Sequence, residues 1–328
     1  MSVPANTFQV YTQKNIREDL INAIYNVDPF KTPFLNMCKK TEAKQTNHEW
    51  DTDKLDAQNL NNAAIEGDDP TAQTLTPTAR IGNNTQISTK VVQISGTSQA
   101  VVAAGGSNKM GYQLLKKSKE LKRDMEGILT YNQAKNAGSS SVARNVAGLP
   151  AFLYTNTVFQ TGGAPSGANP SLASNGWTDG SSTRVYNGTT VAVTEAMVKS
   201  MVQKVFNSSG DAPEYLLVSS INKQNISAFT GPSGGTRFTQ VEDKKLRTVV
   251  DIYETDFGDV KIIPDIFLAH SGDIFGINPN YVRVAYLRPF QTIPLAKTGD
   301  SDKKELLVEY TLEMGNEHAH GAIYDTTG

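Results

Sequence analysis

The chain of 328 residues predicts an α+β fold. Three stretches carry that reading. A long amphipathic helix is expected over 108–135, a helix–strand–helix succession over 193–229, and short strands joined by tight turns through 248–321.

From the N-terminus, residues 1–40 read as an arm. Ile16, Leu20, Ile21 and Ile24 form a short helical stripe that Pro29 and Pro33 break, leaving Phe30, Phe34 and Leu35 as apolar plugs. Such a stripe packs on its own body or docks on a neighbouring chain. Residues 43–100 read as two long strand runs, KQTNHEWDTDKL and ARIGNNTQISTKVVQISGTSQAV, around a polar tip, AAIEGDDPTAQTLTPTA. A lone hairpin is marginal in water, so it needs a surface to lie on.

The helix over 108–135 places Leu114, Leu121, Met125 and Ile128 on one stripe, with Ser107 as its cap and Asn136 and Gly138 as stop signals. It would be roughly 40 Å long. Its polar face holds Lys116, Lys117, Lys119, Lys122 and Arg123 against Glu120, Asp124 and Glu126, which reads as a solvated face laced with ion pairs or as a contact to another chain. Residues 155–190 are loop material rich in Gly, Ser, Asn and Pro. Thr194 caps a second helix whose inward side is Met197, Val198, Met201, Val202 and Val205. A buried strand (215–220) and a third helix (221–229) follow. The last third predicts one hairpin turning near Phe257-Gly258, and a second pair, VRVAYLRPFQTIPLA with KELLVEYTLEMGN.

Composition excludes several function classes. Hydrophobic residues are 38 %, low for a compact enzyme, so part of the burial is expected between chains. A net charge of −2 argues against a general nucleic-acid binder. Cys38 is the single cysteine, which rules out an intrachain disulfide and a cysteine metal cage and suits a reducing compartment. No signal peptide is expected in MSVPANTFQVYTQKN, and no apolar run is long enough to span a membrane.

Catalytic patterns are few. Gly231-Pro232-Ser233-Gly234-Gly235 matches a nucleophile elbow, with His270, His318 and His320 downstream, and a serine hydrolase using Ser233 is the alternative it raises. The elbow needs a strand before and a helix after its serine, whereas here a helix precedes it. Glu317, His318 and His320 are the densest metal-capable group, but zinc would need a further ligand, and interface or surface histidines are the expectation. Glu66, Asp68 and Asp69 form an acidic turn before Pro70. No phosphate-binding glycine loop opens a helix after a strand.

The order of arm, hairpin, long helix, α+β unit and terminal strand pair resembles the major capsid proteins of tailed bacteriophages, the Hong Kong 97-type fold. The specific part lies within 248–321: Thr255-Asp256-Phe257-Gly258, Tyr286-Leu287-Arg288-Pro289-Phe290, Leu295-Ala296-Lys297-Thr298-Gly299-Asp300 and Glu309-Tyr310-Thr311-Leu312. The resemblance implies an N-terminal arm (1–40), an extended β-hairpin loop (41–104), a peripheral domain with the spine helix and long strand pair (105–144 and 286–312) and an axial domain (145–285 and 313–328). It implies a subunit that self-assembles into pentamers and hexamers of an icosahedral-type shell around packaged double-stranded DNA, held on the inner face without sequence specificity. No enzyme activity, cofactor or metal goes with it. Separate scaffolding, portal and decoration proteins would be partners, and assembly would occur in the host cytoplasm, away from any membrane. An encapsulin-like compartment shares the implied fold and is the other alternative. No motif selects Lys54, Lys90, Asn83 or Asn84 for an inter-subunit cross-link. The expected inter-subunit contacts are Trp50 and the charges Arg80, Lys303 and Lys304 against Asp51, Asp68 and Asp69. Removing 55–85 is expected to leave a folded body.

Overall fold

The computed structural model describes residues 31–67, 69, 72, 74–101, 109–159, 170, 177–186, 188–229 and 251–328. Its elements run α1 (Pro33–Met37), β1 (Lys39–Glu42), β2 (Asn47–Thr52), β3 (Ala79–Asn84), β4 (Gln86–Ser95), α2 (Gly96–Ala100), α3 (Lys109–Thr130), β5 (Thr157–Val158), α4 (Glu195–Ser209), β6 (Tyr215–Val218), α5 (Ser220–Ser227), β7 (Ile252–Thr255), β8 (Gly258–Pro264), β9 (Ile274–Ile277), β10 (Val282–Pro294), β11 (Ser301–Met314) and β12 (Gly321–Ile323). They build a four-stranded sheet, β1-β10-β11-β4, a six-stranded sheet, β5-β12-β9-β6-β8-β7, and a separate β2-β3 ladder.

The four-stranded sheet is organised by the long antiparallel pair β10 and β11. Its register shifts around Pro289, a residue with no N–H to give the ladder. Side chains alternate across β11, so Leu306, Val308, Tyr310 and Leu312 share one face. All four are buried in one core with Leu121, Met125 and Leu129 of α3. That core continues to Phe275, Ile277 and Tyr324 of the second sheet region. A second core, with Val198, Met201, Val202 and Val205 of α4 beside Leu216, Val218, Ile262 and Ile274, lies in the six-stranded sheet. Close packing of α4 needs glycine beneath it: a Cβ at Gly321 would stand 2.6 Å, and one at Gly276 2.8 Å, from the Met201 sulfur.

Several expectations change. Residues 33–42 are built into the body rather than forming an arm: Phe34 and Cys38 are buried, and β1 pairs with β10 in parallel. The rest of the expected arm and Ser107 lie outside the described residues. The single hairpin over 43–100 is two structures. β2 pairs with β3, but the second strand run breaks at Thr85, and β4 joins β11 as the edge of the four-stranded sheet. The break has a cause. The Thr85 N–H bonds the Thr46 carbonyl, closing the hairpin root, and its hydroxyl donates to Glu309 on β11 at 2.8 Å.

The helix ends at Thr130 rather than near 135. The Thr130 hydroxyl bonds back to the Glu126 carbonyl, and the Tyr131 N–H reaches only to Ile128, which tightens the final turn. The returning chain at Gly148 then passes so close that a Cβ there would meet the Tyr131 carbonyl. α4 begins as its sequence indicates, with Thr194 accepting from the Met197 N–H, and it ends at Gly210 in the left-handed region.

Candidate assembly surfaces

The segment 53–78 leaves the body between β2 and β3 and has no regular secondary structure among its described residues. Its apolar side chains face solvent: Leu55 is 92 % exposed, Leu60 86 %, Ile65 77 % and Leu75 90 %. Burying each against a partner is worth about 1.5–3 kcal/mol. Exposed aliphatics at this density on one loop mark a surface that meets something else.

The root of this loop is held by buried polar contacts. Asn83 is fully buried and uses both ends of its amide, donating to the Ala147 and Leu312 carbonyls and accepting from the Ala147 N–H. Glu309 sits between Arg144 (2.6 Å) and Arg288 (2.7 Å) and takes the Thr85 hydroxyl as well. Two alternation steps along β11, Glu313 meets His48 at 3.0 Å and Arg283 at 2.6 Å. Burial alone would raise the Glu313 carboxyl, but those two partners outweigh it and hold it below the ordinary range. Lys135 donates to the Gly82 carbonyl at 2.8 Å. The loop is therefore mounted on one face of β11 by hydrogen bonds and ion pairs. These contacts argue against the expectation that removing 55–85 leaves a folded body, because Asn83, Asn84 and Thr85 are buried in the body.

The structure gathers few of the predicted contact residues. Trp50 is half-buried and packs on Phe152 of its own chain, with ring centroids 6.1 Å apart. Asp51 and Arg80 face each other across the β2-β3 ladder, 3.2 Å apart and both exposed, so they pair within the chain. Asp69 is exposed on the loop, and Asp68 lies outside the described residues. Lys303 and Lys304 stand near the turn at the far end of β10 and β11, where Lys303 donates to the Thr298 hydroxyl and Lys297 pairs with Asp302 at 2.6 Å.

The histidine group is not a surface feature. His320 is fully buried, its Nδ1 accepting from the Asn278 N–H, and burial pushes its imidazole down to about 3. Glu317 is also buried and accepts from the Tyr154 and Thr155 N–H groups, while His318 packs edge-on to Trp177. Among the described residues no group of three or more metal-capable side chains converges. Gly231–Gly235, with Ser233, lies outside the described residues. Sequence reasoning missed Asn83, Arg144, Arg288, Glu309 and Glu313. A signal existed for two of them: carboxylates four residues apart on one face of an otherwise apolar strand require partners.

The family described as SU10 major capsid protein matches residues 3–327. The chain belongs to that family. It is 27 % identical to the major capsid protein of Escherichia phage Phieco32, over 98 % of this chain and 97 % of that one. The capsid asymmetric unit of cyanophage A-1(L) superposes with a TM-score of 0.67 at 14 % identity, covering 98 % of this chain and 100 % of the other. The capsid of a native GTA particle does so with a TM-score of 0.63 at 12 % identity, with the same coverage of 98 % and 100 %. The fold is the Hong Kong 97-type capsid fold. This capsid chain is a structural component of the phage particle and not an enzyme, so the hydrolase reading of Ser233 falls. The encapsulin-like compartment gives way to the virion.

Proposed function

We propose that copies of this capsid chain form pentamers and hexamers that close an icosahedral-type shell around packaged double-stranded DNA, with the loop 53–78 lying on a neighbouring copy. The observation that carries this is the loop itself: four aliphatics exposed by three-quarters or more, on a segment anchored firmly at its root. A monomer gains nothing from that arrangement, and a ring of identical neighbours buries every loop at once. In this reading the peripheral domain is the four-stranded sheet with α3, the extended loop is 47–84, and the axial domain is the six-stranded sheet with α4 and α5. Scaffolding, portal and decoration proteins are separate chains, and assembly proceeds in the host cytoplasm. Lys303 and Lys304 remain candidates for contacts at the tip of the long strand pair, each worth about 0–1 kcal/mol.

Thr52 and Ala79 are ladder partners, so residues 54–77 can be replaced by an Asn-Gly turn without stretching the root. The shortened chain should melt as the parent does and form no closed shells by electron microscopy. Closed shells of normal size would overturn the role given to the loop.

A further inference from the structure

Two carboxyl groups meet where three parts of the chain touch. Glu126 lies near the end of α3 and is buried, and each of its oxygens accepts one backbone N–H of α1, from Phe34 at 2.6 Å and Leu35 at 2.8 Å. Beside it is the side chain of Asp265, buried at the start of the loop 265–273 that joins β8 to β9. Asp265 Oδ1 accepts the Phe267 N–H at 2.8 Å, but Oδ2 is enclosed with no N–H or O–H donor among the described residues. Neither carboxyl has a basic partner among those residues. The other titratable neighbours are the Cys38 thiol after α1 and the Tyr286 phenol of β10, both held neutral by burial. Arg123, one turn back on α3, is given to the Phe267 ring at 5.4 Å. A buried carboxylate oxygen without a donor is costly, and two bare carboxylates side by side are costlier. One proton between them removes both costs. It gives Oδ2 the donor it lacks, and it leaves a single negative charge for the α1 N–H groups to stabilise. The rest of the loop is lightly held on α3. The Ala269 N–H reaches the Thr130 hydroxyl at 3.4 Å, Ile266 is exposed, and the Phe267 carbonyl passes over Gly127 at the distance of ordinary contact.

We infer that Glu126 and Asp265 share one proton, that this proton latches the loop segment 265–269 onto α3, and that its loss lifts the segment away. Glu126 keeps its place when ionised, because the two α1 N–H groups bond a carboxylate more strongly than a neutral acid. Asp265 Oδ2 has no such anchor, so Asp265 is the partner expelled. Burial, and next the Asp265 charge, push Glu126 up to about 8, and burial raises Asp265 as well. The latch is therefore closed in acid and neutral solution and opens as pH rises through about 8. The pair lies within one chain, so the inference does not depend on how copies assemble.

Hydrogen exchange of the full-length protein from about pH 6 to about pH 9, corrected for the intrinsic pH dependence of exchange, tests this. Protection of the 265–269 amides, Ala269 above all, should fall by about tenfold or more across that range, while Phe34 and Leu35 keep theirs. Loop protection that does not change, or an equal loss at Phe34 and Leu35, would overturn the inference. In Asp265→Asn the loop should be equally protected throughout. Persistence of the alkaline loss in that variant, or its disappearance in Cys38→Ser, would assign the titration to another group and overturn the latch. If Asp265→Asn does not fold, infrared spectroscopy of the parent decides. A protonated carboxyl band should be present at neutral pH, vanish as the loop lifts and be missing from Glu126→Gln. A parent with no such band at neutral pH has no shared proton, and the inference fails.

Discussion

The four-stranded and six-stranded sheets solve burial differently. In the first, charged groups are sunk into the fold and each is matched: Glu309 by two arginines, Glu313 by Arg283 and His48. That half also projects a loop whose apolar residues have no cover of their own. The second shares one core with the first and has another of its own, which is aliphatic: α4 sits there against glycines, and its buried histidine is neutral. The contrast teaches where assembly energy resides. A region built to meet neighbours keeps its apolar surface outside and fixes its orientation with polar contacts, because those are directional and hydrophobic contact is not.

The largest effect expected is the loss of shell formation on replacing 54–77, with no comparable loss from any single change in the six-stranded region that leaves the chain folded.

Next comes pH, where two buried groups should respond with opposite sign. His320 is held near 3 by burial, against about 6.5 when unfolded. Its contribution is present above the unfolded value and lost as pH falls from about 6.5 toward 3, a loss on the order of 4 kcal/mol. Glu126 is raised to about 8 by burial and by the nearby Asp265. Its contribution is complete below the unfolded carboxyl value and is lost as pH rises through about 8. Melting temperatures from pH 4 to 9 should show both flanks. Glu126→Gln should flatten the alkaline flank alone and His320→Asn the acid flank alone. A variant that flattened both would mean that the two groups do not titrate independently.

Glu309→Ala leaves Arg144 and Arg288 facing each other. The arginines are partly exposed, so the cost is below that of a fully buried pair, roughly 2–3 kcal/mol. Denaturant titration measures it, and a neutral result would mean that the loop root does not depend on that carboxylate. Gly321→Ala forces a methyl against Met201, with an expected cost of about 1–3 kcal/mol. A smaller shift would show that the second core yields more readily than its packing suggests. Arg80→Ala should change stability by less than about 0.5 kcal/mol, since its pair with Asp51 is exposed. A larger effect confined to assembled shells would return Arg80 to the inter-subunit contacts.

Much of the architecture was legible in the residues. The periodicity of α4, its Thr194 cap, and the pairing of β10 with β11 are local signals, and the structure keeps them. The exposed loop was legible as polar material between strand runs, although its aliphatics gave no hint of how far they stand out. The root was not legible. Thr85 reads as an ordinary β-former in a continuous strand, and its role as a break depends on Glu309, 224 residues away. His318 and His320 read as a surface pair because alternation places them on one face, but the chain there is a 3-10 turn followed by β12, and His320 is enclosed by elements distant in sequence.

The line between the two kinds of information follows from range. Periodicity, capping and turn chemistry act over a few residues, so the chain alone specified its helices, its terminal strand pair and the family resemblance within 248–321. Which β-strand run takes which partner, where a strand must end, and which carboxylates are clamped depend on contacts between segments more than a hundred residues apart. Those were settled only when packing brought β11 between β10, β4 and the loop root.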